Sequence, residues 1–144
     1  MKRFWTFLVV AWVVLAGLLV GNTLPARARP GQLILETTET DFGTIVNTQA
    51  VSRTFQVRNG GGRPLEITGT STSCGCTTAV LDTLHLEAGA VTTLTLTFDP
   101  QVHEGATGNF LRKVYVRSND PVQPEAVLTF RVNVVEAPAS TPTP

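Results

Sequence analysis

Along Val91–Phe98 the chain alternates without a break, Leu94, Leu96 and Phe98 interleaving with Thr93, Thr95 and Thr97. A period of two puts hydrocarbon on one face and hydroxyls on the other, the pattern of a half-buried β-strand. It recurs over Val51–Asn59, with Val51, Phe55 and Val57 on one face and Ser52, Thr54, Gln56 and Arg58 on the other. Arg53 interrupts that apolar face, which marks a strand end at an edge or rim. Residues 110–117 place Phe110, Val114 and Val116 inward against Lys113, Tyr115 and Arg117. A last strand sets Leu128, Phe130, Val132 and Val134 against Thr129, Arg131 and Asn133. Shorter apolar pieces cover residues 32–36, 41–45, 79–81 and 84–86, and after Pro64 a strand with Leu65, Ile67 and Gly69 on one face runs towards Cys74.

Turn chemistry separates these pieces: Gly60-Gly61-Gly62, which permits a positive φ and a tight reversal, then Glu87-Ala88-Gly89-Ala90, Asp99-Pro100, a loop over 102–108, and Asn119-Asp120-Pro121. No stretch after residue 28 carries a helical period. The pattern predicts an all-β domain, an immunoglobulin-like antiparallel β-sandwich of about seven to eight strands. Both tryptophans, Trp5 and Trp12, lie outside it, so it lacks an antibody-style core.

The chain start has a different character. Lys2 and Arg3 precede an uncharged apolar run over residues 4–20, and Leu24-Pro25-Ala26-Arg27-Ala28 then supplies a helix breaker and an Ala-x-Ala site. This reads as a signal peptide cleaved after Ala28. An uncleaved signal-anchor helix is the rival, because about 17 apolar residues reach the lower limit for spanning a bilayer. Either way the charge pattern directs the remainder of the chain outward. The expected organisation is a signal peptide or anchor over 1–28, the sandwich over 29–136, and a Pro/Thr-rich disordered tail over 137–144. The protein is expected to be exported, whether extracellular, at the cell surface or periplasmic, and to meet a membrane only through the N-terminal segment.

Net charge is zero over 144 residues, but Lys2, Arg3 and Arg27 belong to the leader, leaving eight basic residues against all 11 acidic ones. A mildly acidic domain without a basic stripe argues against nucleic acid, whose recognition depends on neutralising phosphates.

The only chemically unusual stretch is Ser73-Cys74-Gly75-Cys76-Thr77-Thr78, which holds both cysteines of the chain. Three readings stand open. Cys74 and Cys76 are two small buried residues at a strand end; or they form a local disulfide, which requires Gly75 to bend the chain, since extended residues i and i+2 lie about 6.6 Å apart; or, as thiolates, they bind a soft metal, copper or zinc. Zinc needs further ligands, and His85 and His103 are the only imidazoles, each reading as an ordinary surface residue. Asp99, Glu104 and Asp120 lie near loops but lack the spacing of a calcium site, which leaves them as solvated turn residues. No nucleophile elbow or phosphate loop is present, Gly60-Gly61-Gly62 lacking the Lys and helix that a phosphate loop needs. No catalytic residue and no cofactor is assigned.

Read together, Phe55-x-x-x-Asn59-x-Gly61-x-x-Pro64-Leu65-x-Ile67, the Cys-Gly-Cys stretch, Phe98-Asp99-Pro100 and Val116-x-Ser118-Asn119-Asp120-Pro121 resemble an exported bacterial immunoglobulin-like family with a Cys-Gly-Cys-Thr signature, domain of unknown function fifteen-seventy-three. The resemblance covers about residues 41–134. One departure is Ala88-Gly89, where the family carries Pro-Gly. The family resembles ciliary and sperm-protein immunoglobulin-like domains, which implies a non-enzymatic assembly module. The expected function is an exported interaction or structural module of the cell envelope with a protein partner. The alternative is a thiol redox or soft-metal-binding protein centred on Cys74 and Cys76.

Overall fold

The structure, a computed structural model, describes residues 29–138. The expected leader over 1–28, with its signal or anchor helix, and the expected tail from residue 139 onward lie outside the described residues.

Among the described residues nine strands form: β1 Leu33–Leu35, β2 Glu39–Val46, β3 Val51–Asn59, β4 Leu65–Thr72, β5 Thr77–Leu81, β6 His85–Leu86, β7 Val91–Phe98, β8 Gly108–Ser118 and β9 Glu125–Val135. They divide into a four-stranded sheet ordered β1-β3-β7-β5 and a five-stranded sheet ordered β2-β9-β8-β4-β6. This is the immunoglobulin-like sandwich that the alternation implies, with one departure from an antiparallel plan: β2 runs parallel to β9. The register of that pair slips between Asp41 and Thr44, where Gly43 takes φ +76° and donates its N–H to Asp41 Oδ1 at 2.7 Å.

The inner rows meet as the period of two requires. Leu94, Leu96 and Phe98 of β7 face Val114 and Val116 of β8 and Leu128, Phe130, Val132 and Val134 of β9, all essentially inaccessible to water. Burying each such side chain is worth about 1.5–3 kcal/mol. Phe130 is the hub: it stacks on Phe42 of β2 with ring centroids 4.4 Å apart and meets Phe98 edge-on at 6.0 Å.

Strand β4 departs from the expected parity. Its register with β8 slips between Ile67 and Gly69, so Thr70 and Thr72 become the partners of Val116 and Val114. Leu65 and Ile67 are buried as expected, but Gly69 no longer shares their row. A β-bulge rotates the later side chains by one position, and the two threonines turn towards β5.

Two buried polar side chains fasten β1 to the rest. Asn59, fully inaccessible, accepts from the N–H groups of Gln32 and Gly61 and donates to the carbonyls of Arg63, Leu86 and Glu87. Asp120, 3% exposed, accepts from Leu33 N–H at 2.9 Å, Val122 N–H at 2.8 Å and Gln123 N–H at 3.2 Å. Asp120 is therefore not the solvated turn residue that its loop position suggests. Burial would raise its pKa, but the three N–H donors outweigh it and hold the carboxyl below the usual carboxylate range.

The glycine run at 60–62 also works otherwise than expected. None of the three adopts a positive φ. They admit the segment that leads into β1: a Cβ on Gly61 would sit 1.9 Å from the carbonyl oxygen of Pro30. The N–H groups of Gly60 and Gly62 bond the carbonyls of Gln32 and Arg29 there, at 2.9 and 3.0 Å.

Candidate functional site: the Cys74–Cys76 crossover and the outer face of β2, β9 and β8

The cysteine stretch is the link by which the chain leaves one sheet for the other. Strand β4 ends at Thr72 in the five-stranded sheet and β5 begins at Thr77 in the four-stranded sheet. Gly75 and Cys76 form a turn, Thr77 N–H reaching back to Cys74 O at 3.4 Å. The Cα atoms of Cys74 and Cys76 lie 5.3 Å apart, closer than an extended pair, and their sulfurs are joined at 2.00 Å. Hydrogen bonds hold both ends of the turn: Ser73 N–H to Lys113 O, Lys113 N–H to Ser73 Oγ, and Asp99 N–H to Cys76 O.

The bulge in β4 completes the crossover. The single proton of Thr72 Oγ1 is shared between Cys74 O and Thr77 O, at 2.8 and 3.1 Å, and Thr70 Oγ1 donates to Ala79 O at 2.9 Å. The free carbonyls along the outer edge of β5 are thus met by hydroxyls of the facing sheet, one way of blunting an open edge.

The two sulfurs differ in environment. Cys76 is 2% exposed, whereas Cys74 is half-buried beside the exposed Gly75. Thr77 Oγ1 lies 3.4 Å from Cys74 Sγ. Arg112 Nε–H points at Cys76 Sγ at 3.4 Å, while Arg112 also donates to Leu111 O and lies over the Phe110 ring at 4.8 Å. Arg112 occupies an inward position of β8 between Phe110 and Val114. The alternation places it in the core row, yet its apolar neighbours alone carry the strand signal, so its role is not apparent from the sequence.

The histidines lie apart from this centre. His85 in β6 bridges two carboxylates, Glu66 through Nδ1 and Glu87 through Nε2, the latter at 3.0 Å. Both hydrogen bonds, Glu87's foremost, raise its pKa above the ordinary value. His103 ends the 3₁₀ turn Pro100–His103, which Asp99 caps by accepting from Gln101 N–H. Glu104 comes next with a left-handed φ of 57°. Among the described residues, no group of three or more His, Cys, Asp or Glu side chains converges as metal ligands. A thiolate pair for copper or zinc would exist at Cys74 and Cys76 only after the bond between them had taken up two electrons.

A second feature lies on the outer face of the five-stranded sheet. Register places Asp41 of β2, Arg131 of β9 and Leu111 of β8 in one row across three strands. Together with Thr44, Asn109 and Asn133 they line an open trough of about 380 Å³. Leu111, on the β8 side of the row, is 53% exposed. The outer face of the other sheet carries more hydroxyls, Ser52 and Thr97 bonding each other at 2.7 Å, together with the exposed Val80 beside Thr95.

Sheet order, the parallel β2–β9 pair and the buried Asn59 and Asp120 fasteners define an immunoglobulin-like β-sandwich, and solved structures of the same class share it. A protein of unknown function from Porphyromonas gingivalis W83 superposes with a TM-score of 0.66 at 27% identity, covering 77% of this chain and 51% of that one. The chain thus spans about half the length of that relative. The human CEP192 ASH/PapD-like domain 7 superposes at 0.54 with 11% identity, over 74% of this chain and 87% of that one. The Vibrio cholerae VesB protease contains a matching portion, 0.54 at 16% identity, over 72% of this chain and 31% of the protease. Likenesses at such low identity speak to fold alone. The chain itself belongs to the family described as Protein of unknown function (DUF1573), whose model matches residues 33–134. No curated protein matches it.

Proposed function

We propose that the protein is an exported, non-enzymatic module of the cell envelope that binds a protein partner on the outer face of β2, β9 and β8. The observation that carries this reading is the Asp41–Arg131–Leu111 row. It sets an exposed leucine beside an arginine in an open trough that spans three strands. Arginine is enriched at protein interfaces, and an exposed apolar side chain beside it offers contact area to a partner. The fitting partner surface offers an apolar side chain to Leu111 and a carboxylate to Arg131.

Export rests on the leader pattern of residues 1–28. Non-enzymatic action fits the interior polar groups, Asn59 and Asp120, whose hydrogen-bonding capacity is committed to main-chain partners. The test compares affinity capture from the native envelope by wild type and by Leu111→Glu. A partner retained by wild type and lost by the variant supports the reading, provided both melt alike. Equal recovery by both contradicts it. An intact mass that begins at Arg29 in the exported fraction would establish cleavage of the leader.

A further inference from the structure

The Cys74–Cys76 pair has an asymmetry that the partner-binding reading does not use. Cys74 is half-buried at the rim of the core, beside the exposed Gly75. Cys76 is buried and receives a cationic N–H from Arg112 across the sandwich. Nothing crowds the turn from outside, since a Cβ built on Gly75 meets no atom within 4 Å.

We propose that this pair is a thiol–disulfide exchange site, in which Cys74 takes the attack, Cys76 is the leaving sulfur, and Arg112 is the positioning residue that stabilises the departing thiolate. The co-reactant is a thiolate. It attacks Cys74 Sγ, a new S–S bond forms between the co-reactant and Cys74, and the Cys74–Cys76 bond breaks with its electron pair passing to Cys76. A second thiolate then attacks the co-reactant sulfur of the mixed disulfide, releasing Cys74 as a thiolate. Two thiols are oxidised to one disulfide, and the protein gains two electrons and two protons.

The geometry favours that direction at each stage. Exchange rates rise as the leaving sulfur becomes a better thiolate. A disulfide sulfur is a weak acceptor, but a thiolate is a strong one, so the Arg112 hydrogen bond strengthens as charge develops on Cys76. The guanidinium is held for the task by the Phe110 ring and the Leu111 carbonyl. Of the two cysteines, Cys74 is the one with solvent exposure and so the one open to attack. Attack on Cys76 would need the crossover to open, against the bonds from Thr72, Asp99 and Lys113.

The experiment exposes the folded full chain to glutathione and, separately, to a cysteine-containing peptide, quenches with acid, and maps adducts by mass. The expected result is a mixed disulfide on Cys74 alone. The Arg112→Gln variant should react about tenfold more slowly, the scale set by losing one charge-assisted hydrogen bond, and Arg112→Lys should recover part of the rate. The ratio of the glutathione and peptide rates identifies a small thiol or a protein thiol as the better co-reactant. Adducts on Cys76, reduction only after unfolding, or an unchanged rate in a folded Arg112→Gln protein would each overturn the proposal. Should Arg112→Gln not fold, the adduct map on wild type and the Arg112→Lys rate still decide it.

Discussion

Arg112 and Cys76 meet across the two sheets, Nε to Sγ at 3.4 Å, although 36 residues separate them in the chain. The contact joins the middle of β8 to the turn before β5, and the only arginine in an inward row of β8 is spent on it. The disulfide closes a ring of very few residues, so its effect on chain entropy is small. Replacing Cys74 and Cys76 together by alanine is expected to cost about 1–2 kcal/mol, as short loops do. Urea unfolding at neutral pH checks this; loss of the cooperative fold in the double variant would show that the pair is structurally indispensable.

Asp120 should matter more. Its carboxylate satisfies three N–H groups, Leu33's buried and those of Val122 and Gln123 part-buried, and Asp120→Asn would turn an amide donor towards Leu33 N–H or towards the other two. The expected cost is about 2–4 kcal/mol. Because the folded pKa is depressed, the contribution of the carboxylate is present above its unfolded value, about 3.9, and disappears as pH falls through the lower folded value. Unfolding free energies between neutral pH and acid should therefore slope less in Asp120→Asn than in wild type.

Thr72 holds the crossover by its hydroxyl alone. Thr72→Val preserves shape but leaves the Cys74 and Thr77 carbonyls without that donor. A loss of about 1 kcal/mol is expected, with faster amide exchange confined to residues of the turn and the start of β5. Unchanged exchange there would mean that the bulge in β4 has no part in fixing the turn.

His85 sits between two carboxylates at the β4–β6 edge. Its raised pKa means that its contribution to stability is complete below the unfolded value, about 6.5, and is lost as pH rises through the higher folded value. An NMR titration of the ring should give a midpoint above the ordinary one, with Glu87→Gln and Glu66→Gln each lowering it.

Alternation along a chain records which side a residue faces, and that sets how much of this fold is legible in the sequence. The long strands β3, β7, β8 and β9 and their core rows can be read directly from it, and His85 faces outward as its place between Leu84 and Leu86 implies. Alternation does not record which strands become neighbours, and the parallel β2–β9 pair leaves no trace. A bulge adds one residue without changing composition, so the inward turn of Thr70 and Thr72 is hidden. Asp120 looks like a solvated loop acid because its donors, above all Leu33 N–H, include one from 87 residues away. Arg112 is visible in principle: it lies two positions from Phe110 and two from Val114, in a row that otherwise faces the core.

The central claim is that the outer face of β2, β9 and β8 is the working surface of this domain. Its most direct test is photo-crosslinking in the producing cell, with a photoreactive side chain at Leu111 and, as control, at Thr95 on the opposite sheet. The expected result is one protein adduct of defined mass from position 111, abolished by Arg131→Glu, and none from position 95. Equal adducts from both faces, or none from position 111 in the exported protein, would contradict it.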